Sequence, residues 1–349
     1  MTGMLSPEPA RVLIVGDSIF VRRTLRAIFQ PVPDLVVVGE ATDGREALEK
    51  VAALSPSVIT LDLRMPGMDG LTTLRALRES WPDLPVLVLA SSSPSGAAAA
   101  LEALSLGAFD FVDKSASTPM DLHLLGPQIV AKLRAMLGSR RGRPARSAAN
   151  EEAFGSTLLP RDAGIVCLGA STGGPPSIQR LLESLPRSFP LPVTIVQHMP
   201  AGFTGAFAER LNRLSPLEVK EAEEADEVRT GRVLVARAGR HLLLAKGPRG
   251  AVVHLSRSPE DAIHVPSVDS LFHSAAETFG ARVIAVVLSG MGSDGREGAR
   301  ALAKAGAFIV AEAEESCTVY GMPKALVDAG LTRAIWPLGE LIRRLAAIG

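Results

Sequence analysis

The chain has 349 residues, 47% hydrophobic and 21% charged, with Lys+Arg and Asp+Glu matched at 37 each. Length and composition are those of a globular protein of two or three domains, and the balanced charge excludes a global field that would draw the chain onto nucleic acid or a membrane. The two cysteines, Cys167 and Cys317, have neither metal-ligand spacing nor the density of a disulfide framework, so a reducing cytoplasm is the expected compartment.

Met1 to Ala10 lacks the basic start and apolar run of a secretory signal, and no apolar stretch approaches the roughly 20 residues that cross a bilayer. Aromatic residues, at 4%, are too few for stacking platforms on single-stranded nucleic acid. The chain is expected to be a monomer with neither a nucleic-acid partner nor membrane insertion.

From residue 11 to about 137, short β-branched or Leu-rich runs alternate with helical patterns. The runs Val12–Val15, Val36–Val38, Val58–Leu61, Val86–Leu89 and Phe109–Val112 read as strands. Ile19–Phe29, Arg45–Leu54, Leu71–Ser80, Ala97–Leu106 and Leu122–Leu137 carry apolar residues at helical spacing. Five βα units of this kind build a parallel sheet covered on both faces, with function at the carboxyl ends of its strands. Asp17, Asp62 and Lys114 follow strands one, three and five. Singly each reads as a cap or a solvated charge. Together, two carboxylates and a lysine can hold a hard cation and an acyl phosphate.

In that order, and with Asp62-Leu-Arg-Met65-Pro66-Gly-Met-Asp69-Gly70 around the third strand, these residues resemble a response-regulator receiver domain of flavodoxin-like fold. The resemblance implies that Asp62 is the phosphoacceptor, that Asp17 and Asp62 ligate Mg²⁺, and that Lys114 meets the incoming phosphate. Three departures stand at the site. Gly16 occupies a position where receivers carry a second acid, Ala90 replaces the expected Ser or Thr, and Ser115 replaces the proline after Lys114. Ser91 lies one residue late, where strand alternation points it elsewhere. A lost carboxylate weakens Mg²⁺ binding, so phosphorylation is expected to be poor or its signal weak.

From 138 to 161 the pattern collapses into small and polar residues with four arginines between Arg140 and Arg146. It reads as an interdomain tether, with a site for an anionic partner as the competing reading.

The second domain, 162–349, resumes the alternation: strands Ile165–Leu168, Val193–Val196, Val283–Leu288 and Phe308–Val310, with helices Ser177–Leu185, Gly205–Leu214, Val268–Phe279 and Glu297–Ala305. This is again α/β, a doubly wound parallel sheet. Val233–Ala236, His241–Leu244 and Val252–Leu255, closely spaced around Gly239 and Gly247–Gly250, read as an antiparallel insertion.

Gly169-Ala-Ser171-Thr-Gly173-Gly174 follows the first of these strands. Alone it stands open between a serine held on a strand-to-helix turn and a glycine loop cradling phosphate. The other strand ends carry His198 and Asp294. A serine hydroxyl needs a base, and an imidazole needs an acceptor that fixes its tautomer; Ser171, His198 and Asp294 can fill those roles. A dinucleotide site fits poorly, because the glycines miss the G-x-G-x-x-G spacing and His198 stands where a ribose-binding acid belongs. The order Ser, His, Asp also differs from that of common α/β-hydrolases.

These motifs, with His264-Val-Pro266-Ser-Val-Asp269, Gly290-Met291-Gly292 and Tyr320-Gly321-Met322-Pro323, resemble the bacterial chemotaxis protein-glutamate methylesterases of the CheB family across both domains. The resemblance implies hydrolysis of glutamate γ-methyl esters on chemoreceptor cytoplasmic helices, with glutamine deamidation as a second activity. Ser171 would be the nucleophile, His198 the base and Asp294 its orienting acid, with oxyanion contacts near Thr172 and Met291 and no cofactor for the chemistry. It further implies a chemotaxis-type histidine kinase as phosphodonor and a receiver that covers the active-site face until phosphorylated. Val265, where family members often carry arginine, departs from the pattern. A non-catalytic signalling adaptor is the alternative reading.

Overall fold

A computed structural model describes residues 8–115, 123–141, 158–260 and 262–348. The chain divides into two compact units, residues 1–142 and 143–349.

The first unit is a five-stranded parallel sheet in the order β2-β1-β3-β4-β5: β1 Ala10–Val15, β2 Leu35–Ala41, β3 Val58–Asp62, β4 Val86–Ala90 and β5 Asp110–Asp113. Its helices are α1 Ile19–Phe29, α2 Gly44–Leu54, α3 Gly70–Ser80, α4 Pro94–Ser105 and α5 Gly126–Arg141. Side-chain caps start α1 to α4, with Ser18, Asp43, Asp69 and Ser93 accepting from the first-turn amides, so each helix begins where an acceptor satisfies an otherwise unpaired N–H. The strands are nearly all apolar because both faces are covered. Val12, Ile14, Val58, Leu87 and Leu89 pack on Leu25, Phe29, Ile129 and Leu133 from α1 and α5. Between β1 and β3 the strand order reverses, which opens a crevice at their carboxyl ends.

The second unit holds seven parallel strands in the order β14-β13-β12-β6-β7-β9-β8. They are β6 Ile165–Ala170, β7 Val193–Gln197, β8 Glu218–Glu221, β9 Arg232–Val235, β12 Val283–Val287, β13 Phe308–Glu312 and β14 Ala334–Trp336. An antiparallel hairpin, β10 His241–Gly247 and β11 Gly250–Ser256, turns through Pro248-Arg249. The helices are α6 Gly174–Ser184, α7 Thr204–Leu214, α8 Val268–Phe279, α9 Arg296–Lys304, α10 Met322–Asp328 and α11 Leu338–Ala346. One face of the sheet buries Ile165, Cys167, Ala285 and Val287 against Leu271, Phe272 and Ala275 of α8.

The α/β class, the parallel sheets and the antiparallel insertion agree with the sequence reading, with one reassignment. Val233–Ala236 does not belong to the antiparallel set: β9 pairs in parallel with β7 and β8. Val233, Leu234 and Val235 are all buried, and such an unbroken apolar run belongs to a strand covered on both faces. Strand β8, Glu-Val-Lys-Glu, escaped the sequence reading because an edge strand carries charge on its open side. Helix α5 runs four residues into the stretch read as the tether, and residues 142–157 of that tether lie outside the described residues.

Candidate active site

Strand β6 lies between β12 and β7, with Val287 paired to Gly169 and Ala170 to Gln197. Ser171, His198 and the loop to Asp294 therefore leave the same sheet edge side by side. The Ser171 amide donates to Ser289 O (3.1 Å) and the His198 amide to Ala170 O (3.0 Å). The turn closes through Gly173, whose φ of +81° suits a residue without Cβ; a Cβ there would also come within 2.4 Å of Thr318 Cβ. Helix α6 then begins at Gly174.

His198 Nε2 donates to Asp294 Oδ2 at 2.7 Å. Asp294 also accepts from the Val268 amide (2.7 Å) and from Ser267 Oγ, the Asp269 amide and the Gly295 amide (2.9, 3.0 and 3.0 Å). Its carboxylate thus rests on the N-terminus of α8, where unpaired amides and the helix dipole favour an anion. Burial pushes the Asp294 carboxyl up, but the His198 hydrogen bond and charge and the α8 amides outweigh it, holding the group well below the ordinary carboxylate range.

With Nε2–H spent on Asp294, Nδ1 is the acceptor nitrogen of His198. It is buried and has no hydrogen-bond partner. Ser171 and His198 stand on neighbouring strand ends, but no hydrogen bond joins their side chains in this conformation, a contact that hydrolases often tighten only with substrate. The His264 ring stacks on His198 with centroids 4.0 Å apart. Burial, then the charge of His198, pull the His264 pKa down to about 4 against the opposing effect of Asp294. Asp269 reaches across to the Gly298 amide at the start of α9 (2.7 Å), and its carboxyl is pushed up by burial and by Asp294.

The two residues expected at the oxyanion lie beside Ser171. Thr172 follows Ser171, and its carbonyl accepts from Ser289 Oγ at 2.8 Å. Met291 follows Gly290, where a Cβ would come within 3.0 Å of Ser171 Cβ. The Gly290 carbonyl is held by the Gly321 and Met322 amides (3.0 and 2.8 Å).

Sequence reasoning singled out Ser171, His198 and Asp294, which the fold brings to one sheet edge, but gave no role to Ser267, Gln197 or the His264 ring. Ser267 could have been found as a serine immediately before the apolar-periodic start of α8, which is an N-cap signal.

In the first unit, a cavity of about 550 Å³ is lined by Asp17, Asp62, Arg64, Ala90, Ser91 and Lys114 among others. Asp62 is fully buried at the end of β3; its Oδ2 meets Lys114 Nζ and its Oδ1 accepts from the Arg64 amide (3.0 Å). Burial raises the Asp62 carboxyl against the pull of Lys114. A Cβ at Gly16 would sit 3.3 Å from Asp62 Cβ, so an acid there would add a third carboxylate beside Asp17 and Asp62. Among the described residues no group of three or more His, Cys, Asp or Glu is arranged to hold a metal ion. Ser91 corrects the expectation from strand alternation. It lines the cavity because β4 ends at Ala90 and the pleat ends with it, and its hydroxyl accepts from Arg64 Nη2 at 2.6 Å.

A family model described as CheB methylesterase matches residues 166–345, and one described as response regulator receiver domain matches 12–124. The chain belongs to the CheB methylesterase family. Among its CheB relatives, a Myxococcus xanthus protein named protein-glutamate methylesterase/protein-glutamine glutaminase 5 is 44% identical over 340 residues, 97% of each chain. A Bacillus subtilis protein named protein-glutamate methylesterase/protein-glutamine glutaminase is 39% identical over 337 residues, 93% of this chain and 94% of the other. The crystal structure of the Thermotoga maritima CheB methylesterase catalytic domain matches with TM-score 0.52 and 38% identity, covering 54% of this chain and 99% of that one.

Proposed function

We propose that this chain is a protein-glutamate methylesterase and protein-glutamine glutaminase that acts on methyl-accepting chemoreceptors through Ser171, His198 and Asp294. The observation that carries this reading is the His198 Nε2 to Asp294 hydrogen bond of 2.7 Å together with a buried, partnerless Nδ1 on the strand end beside Ser171. A binding-only adaptor has no use for an imidazole held in this tautomer.

Ser171 Oγ attacks the γ-carbonyl of the methyl ester while His198 Nδ1 takes its proton, and Asp294 stabilises the imidazolium without itself being protonated. The Thr172 and Met291 amides serve the oxyanion; one such donor is worth about 3 kcal/mol in the transition state. Collapse breaks the ester C–O bond, and the methoxide leaves as methanol with the proton from His198. Water, deprotonated by His198, then attacks the acyl-enzyme and releases glutamate and free Ser171. On a glutamine side chain the same steps release ammonia.

In the receiver unit Asp62 is the phosphoacceptor, with a chemotaxis-type histidine kinase as donor. Two carboxylates suffice for Mg²⁺, which keeps most of its waters and is completed by substrate phosphate. Asp17 and Asp62 would hold it, and it would offset charge on the transferred phosphoryl group. Gly16 leaves that site weak, and Lys114 at Asp62 is the cation the chain itself supplies.

Methanol release from methylated receptor membranes tests the chemistry. Ser171→Ala is expected to lower it by at least about a thousandfold, and a variant retaining wild-type release would return the chain to the adaptor reading.

A further inference from the structure

Gln197 is the last residue of β7, and its side chain is 2% exposed. Its Nε2 donates one hydrogen to Ser171 O at 2.8 Å and the other to His198 O at 3.1 Å. Both donors of the amide are spent, and they are spent on the backbones of the residues that supply nucleophile and base. Its Oε1 is buried with no hydrogen-bond partner. A buried amide left half-satisfied is disfavoured against an apolar side chain of similar size, so packing alone gives no reason for glutamine here. Gly174 permits the arrangement, since a Cβ at that position would come within 2.1 Å of Oε1.

We infer that Gln197 is a positioning residue that brackets the Ser171 and His198 carbonyls with one amide group and so fixes the spacing of nucleophile and base. Resting on the esterase reading of this site, the bracket has a second effect. The Ser171 carbonyl belongs to the peptide whose N–H is that of Thr172, and a trans peptide points its N–H opposite to its C=O. Gln197, together with the Gly174 amide on the same oxygen at 2.9 Å, therefore sets the direction of the Thr172 N–H. Cross-strand pairing cannot do this work: beyond the Ala170–Gln197 pair it holds only the Ser171 and His198 amides, through Ser289 O and Ala170 O, and leaves their carbonyls to other donors.

The test compares full-length wild type, Gln197→Met, which keeps length without donors, Gln197→Glu, nearly isosteric with a carboxylate against the two carbonyls, and Ser171→Ala. Methanol release from methylated receptor membranes is read as kcat and KM, alongside the rate at which a fluorophosphonate labels Ser171 and the thermal midpoint. Misplacing a reacting group by an ångström costs about 100-fold. The expected result is a fall of that order in kcat and in labelling rate for both Gln197 variants, with KM within about twofold, since uniform binding is not what is lost; both lower the midpoint, Gln197→Glu the more because it buries a carboxylate against two carbonyls, while staying folded at the assay temperature. A folded Gln197→Met or Gln197→Glu with wild-type kcat and labelling overturns the inference, as does a loss of activity no greater than the loss of folded protein. If Ser171→Ala keeps its methanol release, the esterase reading itself has failed; if only the Gln197 variants behave as wild type, the positioning role alone has failed.

Discussion

His264 shows how one residue can link the site to pH. Its ring stacks on His198, and its pKa is drawn from 6.5 to about 4. In the unfolded chain it takes up a proton near the ordinary histidine value, whereas in the folded protein it stays neutral until pH 4. Between those values the unfolded state binds more protons, so this residue's contribution to stability is complete above pH 6.5 and declines as pH falls toward 4. His264→Phe keeps an aromatic ring without the titration. Thermal midpoints measured from pH 7 to 4 are expected to fall less steeply for this variant than for wild type; parallel curves would show that His264 does not carry the effect. Asp294, its carboxyl held below the ordinary value of 3.8, keeps its stabilising contribution above that value and loses it as pH falls further, so it touches only the lower edge of that window.

At the scale of elements, the site is a set of strand-to-helix turns fitted so closely that glycine is required in them. Gly173 combines a φ of +81° with a position where a Cβ would lie 2.4 Å from Thr318 Cβ and 2.7 Å from Ser289 Oγ. Gly173→Ala is expected to cost about 1–3 kcal/mol of stability from backbone strain, read from the denaturant midpoint, and to lower kcat by displacing Ser289 from the Thr172 carbonyl. A midpoint and kcat equal to wild type would rule out both effects. Helix α8 contributes through its end rather than its face: Ser267 caps it and donates to Asp294, and the first-turn amides of Val268 and Asp269 bind the same carboxylate. Much of this was legible. The strand and helix periods, the serine turn and the histidine and aspartate at other strand ends follow from local pattern. Strand β9 was placed wrongly because spacing between strands says nothing about which edge a strand joins, although its unbroken apolar run already pointed to a fully covered position.

For the whole molecule, each unit has its own buried cluster, so each can fold by itself. The second unit carries Ser171, His198 and Asp294, whereas the cavity of the first is lined by Asp17 and Asp62, with Gly16 beside them, and by Ala90 at the end of β4. A receiver that restrains the esterase implies that residues 158–349 alone release methanol faster than the full chain. Acetyl phosphate with Mg²⁺ is then expected to close only part of that gap, since a ligand shifts two states no further than its differential affinity allows. Equal rates for fragment and full chain would exclude restraint by the receiver.

The sequence by itself determined the α/β class, the two units and the family, and singled out Ser171, His198, Asp294, Asp62 and Lys114 as candidates, because period, strand-end position and motif order are written along the chain. Tertiary structure alone decided that Asp294 takes Nε2 and leaves Nδ1 without a partner, that α8 holds that aspartate, that Ser91 turns into the receiver cavity, and that the Gln197 amide spans the Ser171 and His198 carbonyls. Hydrogen-bond partners are chosen by rotamer and by contact between segments distant in sequence, and neither is encoded in the local period of the chain.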